Sequence, residues 1–471
     1  MKSLVWLRND LRIDDNPALR HACANSDEVH CIYIFSKEQM KIHNEANCKI
    51  EFLIDNLKSL SDSLKKLNIP LTIISSSGFD DNADKILDIV NQRSISKIYW
   101  NNMFGVDENI RDTKVKNILK NININYDTFD DQVVYPPGTI KTKEEKPYSV
   151  FTPFKRRWIE NFNLDLLDIE FNYTVKNNSG INTNINEFNF GFKKSHSVDM
   201  SLWNIGEASA LTILNNFLDK KIFKYSKDRN DPMLEGTSRI SPYLASGIIS
   251  PKRCILEALK KNNFELDSGE NGIIKWIDEI VWREFYKNIM HSFPKVSKGL
   301  PFQDYTKNIK WRFDKDEFEA WKVGRTGFPI IDSAMRQLQK EGWMHNRLRM
   351  VVAMFFTKNM LHDWRLGEAF FMENLLDGDF SSNNGGWQWS SSTGTDAAPY
   401  FRIFNPITQS KNFDADGLFI KKHIKELQDL DKNEIHDPSE KHRNHLNYPN
   451  QILNLKESRL RAIDAFNDAK N

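Results

Sequence analysis

One predicted helix carries four chemically capable side chains on a single face. In the segment IIKWIDEIVWREFYKNIM, Glu279, Trp282, Arg283 and Tyr286 stand at i, i+3, i+4 and i+7, so they project from the same side. Apolar residues for the buried side are available in the same segment: Ile273, Ile277, Ile280 and Val281. A carboxylate, a guanidinium and two aromatic rings suit a pocket that stacks and hydrogen-bonds a flat heterocycle. An exposed face with an ordinary Glu–Arg pair is the alternative.

Two further segments combine polar and cationic groups at helical spacing. GWMHNRLRMVVAMFF places Asn346 and Met350 one turn apart, with Arg347 and Arg349 nearby. The asparagine amide can both donate to and accept from a base edge, and arginines bind phosphates. EGTSRISPYLASG sets hydroxyls and an arginine ahead of a helical stretch. That arrangement is typical of an anion-binding turn or of a simple helix cap.

The segment at residues 375–406 predicts a nucleotide-like ligand. It reads LLDGDFSSNNGGWQWSSSTGTDAAPYFRIFNP, in which two aspartates flank a glycine and two asparagines precede a glycine pair. Glycines allow close approach of the backbone to a ligand, and carboxylates can hold ribose hydroxyls or a ring amide. Tryptophan is concentrated in this half of the chain, since eight of the twelve tryptophans follow residue 270. Core packing is the ordinary explanation for any single tryptophan.

Conventional catalytic motifs are missing from the sequence. It contains no H-E-x-x-H, no G-x-S-x-G and no P-loop, and its four cysteines are scattered without a C-x-x-C pair. Hydrolysis, phosphoryl transfer and metal chemistry are therefore disfavoured, and we expect no metal site. The pattern favours chemistry supplied by a bound organic cofactor.

The elements that must position these residues fall into two domains. Residues 1–130 contain the short apolar runs SLVWL, VHCIYIF, LTIIS, KIYWN and INYDTF, separated by helix-length segments. This alternation predicts an α/β domain with a doubly wound parallel sheet. The Asn-rich stretch within residues 131–200 predicts a long connecting loop. Residues 201–471 show a helical period and predict an all-helical domain.

Composition and charge restrict the expected partners and cellular location of the protein. The net charge is only +1, so any basic surface for nucleic acid must be local. Arg8 and Asp10 interrupt the apolar run at the start of the chain, which disfavours a signal peptide or a transmembrane helix. We therefore expect a cytoplasmic protein with no membrane partner.

Seven ordered motifs give the chain a family resemblance. They are WLRNDLRIDDNPAL, VFTPFKRRW, EGTSRISPYLASG, WREFY, TGFPIIDSAMRQL, GWMHNRLRM and NGGWQWSSSTGTDAAPYFRIFNP. In these motifs and in their order the chain resembles class I, bacterial-type cyclobutane pyrimidine dimer photolyases of the photolyase/cryptochrome family, over essentially its whole length. The resemblance implies light-driven electron transfer from reduced FAD to a pyrimidine dimer in UV-damaged DNA, and we expect the protein to be a monomer.

The resemblance assigns residues to FAD, which the C-terminal domain is expected to hold. The implied FAD contacts are Tyr225, Thr237, Ser238, Arg239, Ile240, Ser241, Trp276, Glu279, Arg283, Asp377, Gly378, Asp379 and Asn383. Asn383 matches the family position beside the flavin N5. Trp311, Trp364 and Trp387 match an electron relay from the surface to the flavin.

The resemblance also assigns residues to the lesion and to DNA. Glu279, Asn346 and Met350 are the expected catalytic set at the flipped dimer. The implied DNA contacts are Arg229, Trp282, Arg283, Tyr286, Asn346, Arg347, Trp389 and Gln409. Trp282 and Trp389 are expected to stack on the extruded dimer, because photolyases act on a base that has left the duplex.

A second, light-harvesting chromophore is expected at the α/β domain. His43, Asp107, Glu108 and Lys298 match folate-type members, so methenyltetrahydrofolate is favoured over a deazaflavin. Asp107 replaces the more usual asparagine, and Ser297 stands where a cysteine is more usual.

Three alternatives remain open at this point. A (6-4) photolyase usually carries a histidine pair where this chain has Asn346 and Met350. A cryptochrome photoreceptor shares the fold and flavin but often adds a C-terminal tail, whereas the chain here ends in the helical KESRLRAIDAFNDAK. An electron-transfer flavoprotein outside the family would lack the DNA-facing set. Dimer repair is favoured.

Overall fold

The computed structural model describes residues 1–167, 169, 173 and 184–470. Its single named sheet has five parallel strands in the order β3-β2-β1-β4-β5. The strands are β1 Lys2–Leu7, β2 Glu28–Phe35, β3 Leu71–Ser75, β4 Lys97–Asn101 and β5 Asn125–Phe129. The five apolar runs therefore form the predicted strands, and the doubly wound parallel α/β prediction is confirmed.

Alternation along the strands explains how both faces of the sheet are covered. In β1, Leu4 and Trp6 join one buried cluster, whereas Val5 and Leu7 join another. Successive side chains of a strand point to opposite faces, so each cluster lies on its own side of the sheet. Helices cover both faces of the sheet, as in other parallel sheets. These helices are α1 Pro17–Asn25, α2 Lys37–Ile42, α3 Asn47–Lys66, α4 Asn82–Arg93 and α5 Val106–Asn121.

The segment predicted as a long connecting loop contains a helix, α6 Phe151–Glu160. This corrects the loop prediction for those residues. Phe151, Phe154 and Trp158 lie at i, i+3 and i+7 and are all buried. The apolar stripe packs α6 against a helix of the C-terminal domain, and Asn-rich composition elsewhere in the segment obscured this signal. Residues 168, 170–172 and 174–183, which include most of the Asn-rich stretch, lie outside the described residues.

After residue 200 the described chain is helical, as predicted, apart from one isolated bridge between Arg312 and His362. The helices are α7 Glu207–Lys220, α8 Tyr225–Asp228, α9 Ser241–Ala245, α10 Pro251–Lys261, α11 Asn271–Ser292, α12 Pro294–Ser297, α13 Lys315–Lys322, α14 Pro329–Glu341, α15 Asn346–Met354, α16 Trp364–Asn374, α17 Phe380–Ser391, α18 Pro406–Phe413, α19 Leu418–His423, α20 Glu440–His445 and α21 Leu455–Asp468. Short 3-10 segments span Leu164–Leu167, Ile185–Glu187, Met200–Leu202, Ile222–Lys224, Asp304–Asn308 and Lys425–Leu427, and a π-helical turn spans Phe355–Asn359. No described helix combines the length and apolar character needed to cross a membrane.

Buried charges join the two domains. Arg12 is 2% exposed and donates to Asp131 at 3.0 Å and to the carbonyl of Gly247 at 3.1 Å. Ser250 donates to Asp15 at 2.5 Å from the other side. Gly247 has φ +65°, and a Cβ there would lie 1.9 Å from the carbonyl oxygen of Asn9. Only glycine allows the backbone at residue 247 to lie this close to Asn9. The N-terminal motif WLRNDLRIDDNPAL is therefore part of the interface between the domains.

Candidate active site

A cavity of about 500 Å³ opens within the helical domain. Residues from α8, α9, α11, α15, α16 and α17 and from the loops between helices form its wall. All but one of the expected FAD contacts line it: Tyr225, Thr237, Ser238, Arg239, Ile240, Ser241, Trp276, Glu279, Arg283, Asp377, Asp379 and Asn383. Gly378 lies between two of these residues without lining the cavity itself. The wall also contains residues that sequence reasoning missed, including Trp343, Phe371 and Ser382.

Hydroxyl groups collect at one side of the cavity. The indole of Trp276 donates to Ser238 at 3.3 Å, and the indole of Trp343 donates to Ser241 at 3.2 Å. Arg239 has φ +51°, an unusual backbone conformation for a residue with a side chain. Its guanidinium lies between the rings of Trp203 and Trp343, 4.8 and 4.5 Å from their centroids. These contacts hold the segment 237–241, whose hydroxyls line the cavity.

Two carboxylates form a second polar region. Asp377 accepts from Arg349 at 2.8 Å and from Ser241 at 2.6 Å. Asp379 pairs with Lys287 at 2.9 Å and caps α17 by accepting from the backbone N–H of Ser382. Burial alone would raise the pKa of Asp379, but the charges of Lys287 and Arg283 outweigh it and hold this pKa well below its ordinary value. Asp379 is therefore ionised at neutral pH.

Asn383 has a fixed orientation. Its amide nitrogen donates to the backbone carbonyl of Glu368 at 3.0 Å and to the Glu368 side chain at 3.1 Å. Both N–H groups are thereby used, which leaves the amide oxygen as an acceptor for a ligand in the cavity. Burial raises the pKa of Glu368 to about 7, and the bond from Asn383 offsets part of that effect. No sequence motif pointed to Glu368.

The wall of the same cavity carries the expected lesion contacts. Glu279, Trp282, Tyr286, Asn346, Met350 and Trp389 all line the cavity. The ring of Trp282 is stacked on Phe151 of α6, with centroids 3.6 Å apart and planes at 10°. One face of the indole is thus covered and held parallel by the connector helix. Burial raises the pKa of Glu279, whereas Arg229, 2.8 Å away, partly offsets the rise.

Arginines lie close together beside this region. Burial lowers the pKa of Arg347, and the neighbouring charges of Arg229 and Arg402 lower it further. The Arg347 guanidinium donates to Asn230 at 2.7 Å and lies 4.5 Å from the ring centroid of Phe413. Gln409 stands one turn before Phe413 on α18. Neither Arg347 nor Gln409 lines the cavity itself, and Arg402 is an exposed cation that sequence reasoning did not select.

The three expected relay tryptophans belong to one aromatic cluster. Trp364 and Trp387 are 1% and 2% exposed, and the partly buried Trp311 packs against the cluster that contains them. Trp387 also lines the cavity. Gly367 makes room for it, since a Cβ there would lie 2.1 Å from the Trp387 ring. Trp321 is fully buried in the same cluster, with its ring centroid 6.2 Å from that of Trp387.

A smaller cleft of about 110 Å³ lies at the carboxyl ends of β1 and β2. Parallel α/β sheets commonly bind ligands at this edge. His43 and Glu108 line the cleft, and His43 lies 3.4 Å from Asp107 and 3.7 Å from Glu108. Three of the four expected antenna residues therefore meet. Lys298 is exposed at the end of α12 and does not line the cleft.

The large cavity suits a dinucleotide-sized organic cofactor better than a metal. It offers hydroxyls, carboxylates, cations and indole rings, and Gly386 faces open space where a Cβ would meet nothing within 4 Å. This donor set fits the phosphates, ribose and ring of FAD. Among the described residues, no cluster of three or more His, Cys, Asp or Glu side chains is placed to hold a metal ion.

An α/β domain joined to a helical domain with such a cavity defines a class of flavin-binding proteins. Residues 276–468 match the family model for the FAD binding domain of DNA photolyase, and residues 3–170 match that for DNA photolyase. The deoxyribodipyrimidine photo-lyases of Salmonella typhimurium and Escherichia coli are each 37% identical over 99% of this chain and 98% of their own. The chain belongs to the DNA photolyase family.

Solved structures agree with this assignment. A bacterial class III photolyase from Agrobacterium tumefaciens superposes with a TM-score of 0.89 at 31% identity, covering 100% of this chain and 98% of its own. An archaeal photolyase from Sulfolobus tokodaii, whose structure contains two FAD molecules, gives 0.82 at 27% identity, covering 99% and 100%. A cryptochrome from Synechocystis gives 0.86 at 24% identity, covering 99% of each chain, and shares the fold.

Proposed function

We propose that the chain is a deoxyribodipyrimidine photo-lyase that repairs cyclobutane pyrimidine dimers in UV-damaged DNA, using light and reduced FAD. One observation carries the proposal. A single cavity is lined both by the hydroxyl and carboxylate groups suited to FAD, here called the cofactor side, and by Glu279, Trp282, Met350 and Trp389, here called the lesion side. The cofactor and an extruded lesion would therefore lie against each other without an intervening protein layer.

The residues of the cofactor side would bind FAD and fix its orientation. Thr237 and Ser238 would hold the diphosphate with hydroxyl donors, and Arg283 would supply a nearby positive charge. Ser241 lines the same cavity, but its hydroxyl donates to Asp377. Asn383 would accept a hydrogen bond from the protonated ring nitrogen of the reduced flavin, because its own N–H groups are engaged by Glu368. When bound, reduced FAD supplies the light-excited electron that opens the cyclobutane ring and takes it back afterwards.

The lesion side recognises a dimer that has left the duplex. Trp282, backed by Phe151, and Trp389 provide stacking surfaces, and stacking contributes about 1–3 kcal/mol per base. Asn346 and Met350 replace the histidine pair that a (6-4) photolyase would use, and this favours cyclobutane dimers as the substrate. A damaged base is extruded from the helix more easily than a paired one, which adds selectivity.

Glu279 acts as the hydrogen-bond donor to the dimer. In the free protein Arg229 compensates its charge at 2.8 Å. When a DNA phosphate attracts Arg229, burial favours the protonated carboxyl, which then donates to a pyrimidine carbonyl that gains negative charge. DNA binding would thus favour the protonated form of Glu279, which stabilises the charge that electron transfer places on the pyrimidine.

The aromatic cluster supplies electrons from the surface. Trp387 lines the cavity, Trp364 is buried in the same aromatic cluster, and Trp311 lies partly exposed against that cluster. We assign them the order Trp387, Trp364, Trp311 in a relay that reduces the oxidised cofactor under light. Repair by an already reduced cofactor does not need this path.

We also propose methenyltetrahydrofolate as the antenna. Asp107 and Glu108 offer carboxylate acceptors for the amino-pyrimidine edge of a pterin, and His43 lies between them. Release of the bound chromophores followed by absorbance spectroscopy tests this assignment, and flavin alone would contradict it.

The repair proposal is tested with defined lesions. Photoreduced protein is incubated with one oligonucleotide carrying a thymine cyclobutane dimer and another carrying a (6-4) photoproduct, then illuminated with near-UV or blue light. We expect restored thymines from the first substrate only, and none in the dark. Repair of the (6-4) substrate would reassign the lesion, and repair of neither would favour the cryptochrome alternative.

A further inference from the structure

The loop at residues 377–379 carries much of the cofactor side of the site. Asp377 and Asp379 line the cavity, and Asp379 is also the N-cap of α17. That helix in turn carries Asn383, Trp387 and Trp389. Any shift of this loop would move the flavin acceptor, the relay and a stacking surface together. Two lysines, Lys49 and Lys287, contact this loop.

Lys49, in the first turn of α3, reaches the loop from the α/β domain. Its ammonium donates to the carbonyl of Gly378 at 2.6 Å and pairs with Glu45 at 2.5 Å, and its side chain is only 12% exposed. Cys48 lies beside it, with its sulfur 3.7 Å from the carbonyl of Asn374. The start of α3 therefore docks on the end of α16 and on the loop that follows it. Hydrogen bonds from a charged donor are about twice as strong as neutral ones.

Lys287 holds the same loop from α11. It is 5% exposed, and its ammonium lies 2.9 Å from Asp379. Burial lowers the pKa of Lys287 and Asp379 opposes that shift, with a smaller contribution from Glu108 of the smaller cleft. Removing one partner of a buried ion pair leaves an uncompensated charge, which is costly.

The two cavities are separated by very little protein. Ala245 lines both, and Glu45 and Lys49 line the smaller one while Lys49 holds the loop of the larger. We propose that Lys49 and Lys287 are positioning residues that fix the 377–379 loop, so that FAD retention depends on docking of the α/β domain through Lys49. This inference assumes only that the large cavity binds FAD.

The test measures FAD release from purified holoprotein in mild denaturant, by the gain in flavin fluorescence. We expect Lys49→Met to release FAD about tenfold faster than the wild type, because one hydrogen bond from a charged donor is lost. Lys49→Arg should restore release to near the wild-type rate. Lys287→Met should accelerate release by about a hundredfold or more, because Asp379 is left unpaired. The visible circular dichroism of the bound flavin should change in both methionine variants.

The matched control removes another cation that crosses the domain interface. Arg253 of α10 pairs with Asp14 at 2.8 Å and lines neither cavity. Arg253→Met should lower the thermal midpoint while leaving FAD release within twofold of the wild type. Equal acceleration in Arg253→Met and Lys49→Met, or unchanged release in Lys49→Met, would overturn the inference. Absence of flavin from the wild-type protein would instead contradict the proposed function.

Discussion

The carboxylate of Glu279 and the guanidinium of Arg229 lie 2.8 Å apart in the wall of the large cavity. We assign Glu279 to the lesion and Arg229 to a DNA phosphate, yet in the free protein the two groups neutralise each other. The proton affinity of the Glu279 carboxyl therefore depends on which group Arg229 contacts. Its consequences can be measured separately for lesion binding and for repair.

Substitution of Glu279 should separate binding from chemistry. Glu279→Ala is expected to weaken binding of dimer-containing DNA by about five- to tenfold, as expected for loss of one hydrogen bond. Glu279→Gln keeps a donor, so its affinity should stay close to that of the wild type. Its quantum yield of repair should fall, because an amide stabilises the developing charge less well than a carboxylic acid. A wild-type quantum yield in Glu279→Gln would contradict the assigned role.

The arginine group should control the salt dependence of DNA binding. Each phosphate contact contributes about 0.9 to the slope of log K against log salt. Alanine variants of Arg229, Arg347 and Arg402 should therefore each reduce the slope by about one, with similar losses on damaged and undamaged DNA. Arg93→Ala, on α4 of the α/β domain, serves as the control and should leave the slope unchanged. An unaltered slope in any of the three would remove that residue from the phosphate contacts.

Trp311→Phe should separate photoreduction from repair. Phenylalanine keeps an apolar ring in place but is much harder to oxidise, so photoreduction of the oxidised cofactor should be lost. Protein reduced chemically beforehand should repair dimers at the wild-type rate. Trp100→Phe, in the core of the sheet, is the control for loss of a buried indole and should keep both activities. Intact photoreduction in Trp311→Phe would rule out Trp311 as the surface end of the relay.

Glu368 should leave a signature in the pH dependence of stability. Burial raises the pKa of Glu368 to about 7 in the folded, FAD-free protein, above its value in the unfolded chain. The folded state then holds the proton more tightly, so this contribution to stability is complete below about pH 4 and is lost as pH rises toward 7. The slope from this group is at most about 1.4 kcal/mol per pH unit.

Glu368→Gln removes that titration and can still accept the bond from Asn383. The free energy of unfolding of the FAD-free variant should therefore fall less between pH 5 and 7 than that of the wild type, as measured by denaturant titration at each pH. Identical pH profiles for the two proteins would show that Glu368 titrates normally.

Much of the architecture follows from local sequence pattern. The five strands were predictable because short apolar runs alternate with amphipathic segments, and a parallel sheet covered on both faces needs that pattern. Glu279, Trp282, Arg283 and Tyr286 were predictable as one face because helical spacing alone sets their direction. Helix α6 was missed, since its three buried aromatic residues lie in a segment dominated by polar composition.

The sequence by itself determined the two-domain plan, the family motifs and most residues that line the large cavity, because spacing and residue type are local properties. Only the tertiary structure decided which partners those residues have. Lys49 meets Gly378, Glu368 orients Asn383 and Phe151 supports Trp282 across long stretches of chain. Such contacts depend on how helices and domains pack, and no pattern of neighbouring residues encodes them.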